Sequence, residues 1–80
     1  MRIPRDLSGA DLVKRLARFG YSVTRQTGSH MRLTSASGDE HHITLPNHDP
    51  LRMGTLAAIL AGVAAHQGLT RDELMRRLFE

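Results

Sequence analysis

The sequence predicts an α+β domain: a three-stranded antiparallel sheet with helices on one face, in the order α-β-β-β-α, followed by a short extra C-terminal helix. Apolar residues recur at helical spacing before Gly20 and again after Pro50, three short segments between them alternate apolar with polar residues, and turn formers separate those segments closely. Residues 1–80 read as a single domain, short enough to bury only about 60% of the surface that the unfolded chain exposes.

Ser8 followed by Asp11 reads as a capping box with Asp in place of Glu, and Leu12, Val13, Leu16 and Phe19 share one helical face, predicting a helix over about 10–19 that Gly20 ends. Its other face carries Lys14, Arg15 and Arg18, which an ordinary solvated surface explains. Residues 21–26 alternate and favour a strand, Thr27-Gly28-Ser29 reads as a tight connection, and residues 30–35 form the next strand with Met31 and Leu33 on one face. Ser37-Gly38-Asp39 makes a loop, and residues 41–45 form the third strand with Ile43 and Leu45 on one face.

A one-residue slip would turn every apolar side chain to the wrong face, so the register is predictable. Met31 pairs with Leu45 and Leu33 with Ile43, leaving His30, Arg32, Thr34, His42 and Thr44 on the opposite, open face. By the same logic Val23 lies beside Leu33, Thr24 beside Arg32 and Gln26 beside His30. The segment Pro46-Asn47-His48-Asp49-Pro50 reads as a loop because its prolines lack the ladder donor. Thr55 is the expected N-cap of a second helix that places Leu56, Ile59, Leu60 and Val63 on one face and runs to about His66, where Gly68 stops it. Thr70 with Glu73 forms a second capping box, and Leu74, Leu78 and Phe79 mark the last helix.

Hydrophobic residues make up 40% and charged residues 24%, which argues against wholesale disorder. The absence of cysteine excludes disulfides and thiolate metal sites, and with no apolar run long enough for a signal peptide or membrane span the expectation is a soluble, cytoplasmic protein. Eleven Lys+Arg against eight Asp+Glu gives only +3, but no acidic residue stands between Leu12 and Gly38 while Lys14, Arg15, Arg18, Arg25 and Arg32 do. That concentration favours an anionic partner. Every cationic residue except Lys14 is arginine, whose planar fork suits phosphate, although a general preference for arginine codons produces the same composition.

Three blocks then stand together: Gln26-Thr27-Gly28-Ser29-His30 after the first strand, Leu45-Pro46-Asn47-His48 after the third, and Gly54-Thr55-Leu56 with Ile59-Leu60 opening the second helix. In order and spacing they resemble the HicA toxin family, the similarity extending from about residue 4 to 79. The resemblance implies a metal-independent messenger-RNA endonuclease (mRNA interferase) inhibited by a HicB-type antitoxin, with His30 matching the catalytic histidine and Gly28 and Ser29 completing its motif. It also matches His48 to a recurrent loop histidine without a catalytic role. The chain departs from the pattern in two places, with about four additional residues between Leu60 and Gly68, roughly one helical turn, and with Arg52-Met53 where many relatives place basic residues before Gly-Thr.

The chemistry fits such a reaction. RNA supplies its own nucleophile, the 2′-hydroxyl, so cleavage needs proton transfer and stabilisation of charge at phosphorus. Histidine, with an ordinary pKa of about 6.5, suits the first. Arg25, Arg32 and Arg52 are the candidate phosphate contacts, and the backbone N–H groups of Gly28 and Ser29 a candidate anion nest. Without the motif His30 is an ordinary exposed strand histidine, and Gly28 is explained by its turn. His41 and His42 lie on alternate strand faces and cannot share a metal; His42 approaching His30 across the sheet finds no carboxylate or cysteine to complete a zinc set, so no metal or cofactor is expected. His66 is explained by the helix C-terminus it adjoins. Two other readings remain open, a noncatalytic RNA-binding module of double-stranded-RNA-binding-domain type, whose element order is the same, and a protein-interaction domain using the alanine-rich second helix.

Overall fold

A computed structural model describes residues 4–36 and 40–79, which form α1 (Gly9–Leu16) with a 3₁₀ turn (Ala17–Phe19), β1 (Tyr21–Thr27), β2 (His30–Ser35), β3 (His41–Pro46), α2 (Met53–Gln67) and α3 (Arg71–Phe79). The order and the antiparallel sheet β1-β2-β3 are those expected. The Ser37-Gly38-Asp39 loop lies outside the described residues. Among them no single helix is long and apolar enough to cross a membrane.

The register between β2 and β3 follows the apolar faces, with Met31 opposite Leu45 and Leu33 opposite Ile43. These four side chains meet Leu12 and Leu16 of α1, Leu56, Leu60 and Val63 of α2, and Leu74, Met75 and Leu78 of α3 in one buried cluster. Each such side chain contributes about 1.5–3 kcal/mol on burial, so a thin layer of helices on one sheet face accounts for the core. The other face carries no helix and exposes His30, Arg32, His42 and Thr44 with Thr34 half-buried.

The β1–β2 register departs from the expected pairing. Val23 does sit opposite Leu33, but the ladder shifts between Val23 and Arg25, so that Arg25 pairs with Arg32, Gln26 with Met31 and Thr27 with His30. Strict alternation places Arg25 opposite buried Met31, on the core side. A β-bulge on this edge strand instead brings Arg25 level with Arg32 on the open face.

Helix ends show where local chemistry decides and where packing does. Ser8 Oγ accepts from Asp11 N–H at 3.0 Å, as the sequence suggests. Thr70 and Glu73 bond reciprocally, at 3.0 and 3.1 Å. Gly68, at φ 69°, closes α2 with Leu69 N–H on Ala64 O and Gly68 N–H on Ala65 O, a Schellman motif. Thr55, however, is not the N-cap of α2. Arg52 occupies that position without a side-chain bond, because Leu51 is buried and its N–H is held by Leu7 O at 2.8 Å, so the chain enters the helix immediately afterwards. Pro46, expected in the loop, ends β3 opposite His30; an edge strand tolerates the missing donor.

The loop after β3 is held against both flanking elements. Asn47 N–H donates to Ser29 O at 2.6 Å and Gly9 N–H to His48 O at 2.9 Å. A Cβ on Gly9 would stand 2.5 Å from Pro46 O, so only glycine lets α1 start this close to the loop.

Candidate functional site

The hairpin between β1 and β2 turns through Gly28 and Ser29 alone, with Thr27 and His30 paired across it. Gly28 has φ 56° while among the described residues no non-glycine residue has positive φ, which is the arrangement of a two-residue turn with glycine first. Nothing lies within 4 Å of a Cβ placed there, so the requirement is for backbone conformation and not for space. The bond from Asn47 to Ser29 O then fixes the loop after β3 against this turn.

His30 therefore stands at the corner where the turn, the first residue of β2 and the end of β3 meet. It is exposed, flanked by Thr27 on one side and Pro46 on the other. Arg32 follows on the same face, between Arg25 and Thr44. Like charges directly opposite each other on a sheet are destabilising, and among the described residues no carboxylate pairs with Arg25 or Arg32. An anion bound across the two arginines removes that repulsion. The strands themselves contain no Asp or Glu. The result is a flat, cationic, open surface, whereas a concave surface lies elsewhere, at Glu73, Arg76 and Arg77 of α3.

The other singled-out residues divide between this surface and the scaffold. Arg52 is exposed at the start of α2, and no described contact joins it to the open face. His48 is exposed in the loop, anchored through its own carbonyl. His42 shares the open face but pairs with Thr34, four residues along β2 from His30 and thus roughly 13 Å away at the strand rise, so it does not approach His30. Among the described residues no three His, Cys, Asp or Glu side chains gather as a metal set.

Three features escaped the sequence reading. The bulge that aligns Arg25 with Arg32 has no local signature beyond a charged residue at an inward position. Arg15 and Arg18, which looked merely solvated, donate to the last carbonyls of α3, Leu78 O at 2.6 Å and Arg77 O at 3.2 Å, and Arg15 also lies over the Phe79 ring. On the core side His41 meets Tyr21 Oη at 2.6 Å and stacks on His66, ring centres 4.5 Å apart. Burial, then His66 and His42, hold the His41 pKa below the usual histidine value. Burial raises that of Tyr21 against a bond to Gln67, which lowers it. His66 and Gln67 end α2, which thus closes over the start of β1 and β3.

A family model for the HicA toxin of bacterial toxin–antitoxin systems matches residues 9–63. That span covers all three sequence blocks and the whole sheet, and stops within α2, short of its last turn and of α3, which the resemblance was expected to include. No curated protein and no solved structure matches the chain. With well over half its length matched, the chain belongs to the HicA family, the toxin component of bacterial toxin–antitoxin pairs.

Proposed function

We propose that this toxin is an endoribonuclease acting on messenger RNA, that His30 is its catalytic residue, and that a HicB-type antitoxin inhibits it. The observation that carries the reading is the position of exposed His30 beside the unpaired Arg25–Arg32 couple on a sheet face open to a polymer. In the reaction the RNA 2′-oxygen forms a bond to the adjacent phosphorus while the bond to the 5′-oxygen breaks. The products are a 2′,3′-cyclic phosphate and a 5′-hydroxyl. His30 serves one proton step, taking the 2′-hydroxyl proton or supplying one to the leaving 5′-oxygen, and solvent water serves the other. Arg25 and Arg32 hold the phosphate and offset the charge that grows on it, and the N–H groups of the Gly28–Ser29 turn are the further donors at that corner.

The test is to incubate the purified toxin with RNA in excess chelator and analyse the new ends. Cleavage to cyclic phosphate and 5′-hydroxyl ends is the expected result; binding without cleavage supports the noncatalytic RNA-binding module instead. Arg32→Ala is expected to weaken binding to all RNA sequences alike and to reduce the salt slope by about one. An unchanged slope, measured by titration at several salt concentrations, contradicts the phosphate role.

A further inference from the structure

The polar face continues past the arginines. One step beyond the Arg25–Arg32–Thr44 row, a hydrogen-bonded row crosses all three strands: Thr24 Oγ1 to Thr34 Oγ1 at 2.9 Å and Thr34 Oγ1 to His42 Nδ1 at 2.9 Å. Glu40 Oε1 stands 3.3 Å from His42 Nε2 and ends the row. Thr24 Oγ1 also reaches Arg32 O at 3.4 Å, which ties this row to the preceding one. Successive rows on one sheet face are about 7 Å apart, a step that one extended nucleotide spans.

Exposed cross-strand hydroxyl bonds of this kind contribute about 0.2–1 kcal/mol each to the sheet, and the hydroxyl and imidazole groups keep further capacity for a ligand. Hydroxyl and imidazole groups next to arginines match the sugar and phosphate oxygens of a nucleic-acid backbone. We propose that Thr24, Thr34 and His42 form a subsite for single-stranded RNA beyond the reacting phosphate, the strand running along β2 from His30 toward residue 35. Its course ends at Glu40, whose carboxylate repels phosphate. The direction rests on the ribonuclease reading, while the subsite itself needs only RNA binding.

Thr34→Val, which keeps the side-chain shape, and His42→Ala are the variants, each checked for folding by thermal melting. They are made in a His30→Ala background so that the RNA remains intact. Fluorescence anisotropy at low salt compares a single-stranded RNA dodecamer with a pentanucleotide. Both variants are expected to raise the Kd for the dodecamer about tenfold, the worth of one lost hydrogen bond to a charged group, and to change that for the pentanucleotide much less. Unchanged dodecamer binding overturns the subsite, and so does an equal loss on both lengths, which places these residues at the reacting phosphate. A toxin that cuts RNA yet shows no such length dependence retains its function and loses the subsite. One that never cuts RNA but shows it retains the subsite and loses the ribonuclease reading.

Discussion

His41 Nδ1 and Tyr21 Oη share a hydrogen bond, the other side of His41 is stacked on His66, and burial disfavours its charged form. Neutral His41 is therefore the form that the fold prefers. Because its folded pKa lies below the unfolded value, the unfolded chain binds more protons in this range and stability rises with pH. The contribution is complete above the ordinary histidine value of about 6.5, declines as pH falls through it, and levels off once the depressed folded pKa is passed. Melting temperatures measured across that window are expected to fall on acidification, and His41→Phe to flatten the dependence; a melting temperature that rises with acid contradicts the assignment. Glu73, lowered by its bonds to Thr70, acts in a separate window, its contribution being lost only as pH falls through the carboxylate range. At this scale the exposed strand positions of His30 and Arg32 and the turn at Gly28 were legible, from the alternation along β2 and from the glycine between two strands. The histidine stack was not, since it joins residues from β3 and the end of α2 that no periodicity connects.

Gly9 begins α1 in a position where alanine is the better helix former by up to about 1 kcal/mol. The structure reverses that expectation, because the added Cβ meets the Pro46 carbonyl at 2.5 Å, and backbone pinned by the Asn47–Ser29 and Gly9–His48 bonds has little room to yield. Overpacking of this kind costs on the order of 1–3 kcal/mol, so Gly9→Ala is expected to lower the denaturant midpoint. An equal or higher midpoint means that the loop shifts freely. Elements themselves were largely readable: all helices and strands lie where periodicity and punctuation place them, to within a few residues at their ends. The failures fall where no local preference speaks, as when buried Leu51 brings α2 forward past Thr55, or when a bulge shifts the β1 register between Val23 and Arg25.

Across the whole molecule, the helix outside the family match is not an appendage. Leu74, Met75 and Leu78 of α3 are buried in the common core, and Arg15 and Arg18 bind its C-terminal carbonyls. Those three side chains alone account for roughly 5–9 kcal/mol of burial, comparable to the entire stability of about 5–15 kcal/mol expected of a domain. A chain ending at Gly68 is therefore expected to be unfolded by circular dichroism; a cooperative melt from it contradicts this view of α3. The open sheet face has the opposite character, contributing little to the core and presenting the charge that an inhibitor can exploit. If the antitoxin masks that face, amide exchange in its presence is expected to slow in residues 25–32. Protection confined to α3 contradicts direct masking.

The separation between a core built on one sheet face and chemistry on the other makes the central claim directly measurable. His30 is exposed at the start of β2, so His30→Ala leaves no cavity and its melting temperature is expected to match the parent's closely. RNA cleavage in chelator is expected to fall by a factor of about 10² to 10⁴, the usual worth of a proton-transfer group. A folded His30→Ala toxin that cuts RNA at the parental rate contradicts the account.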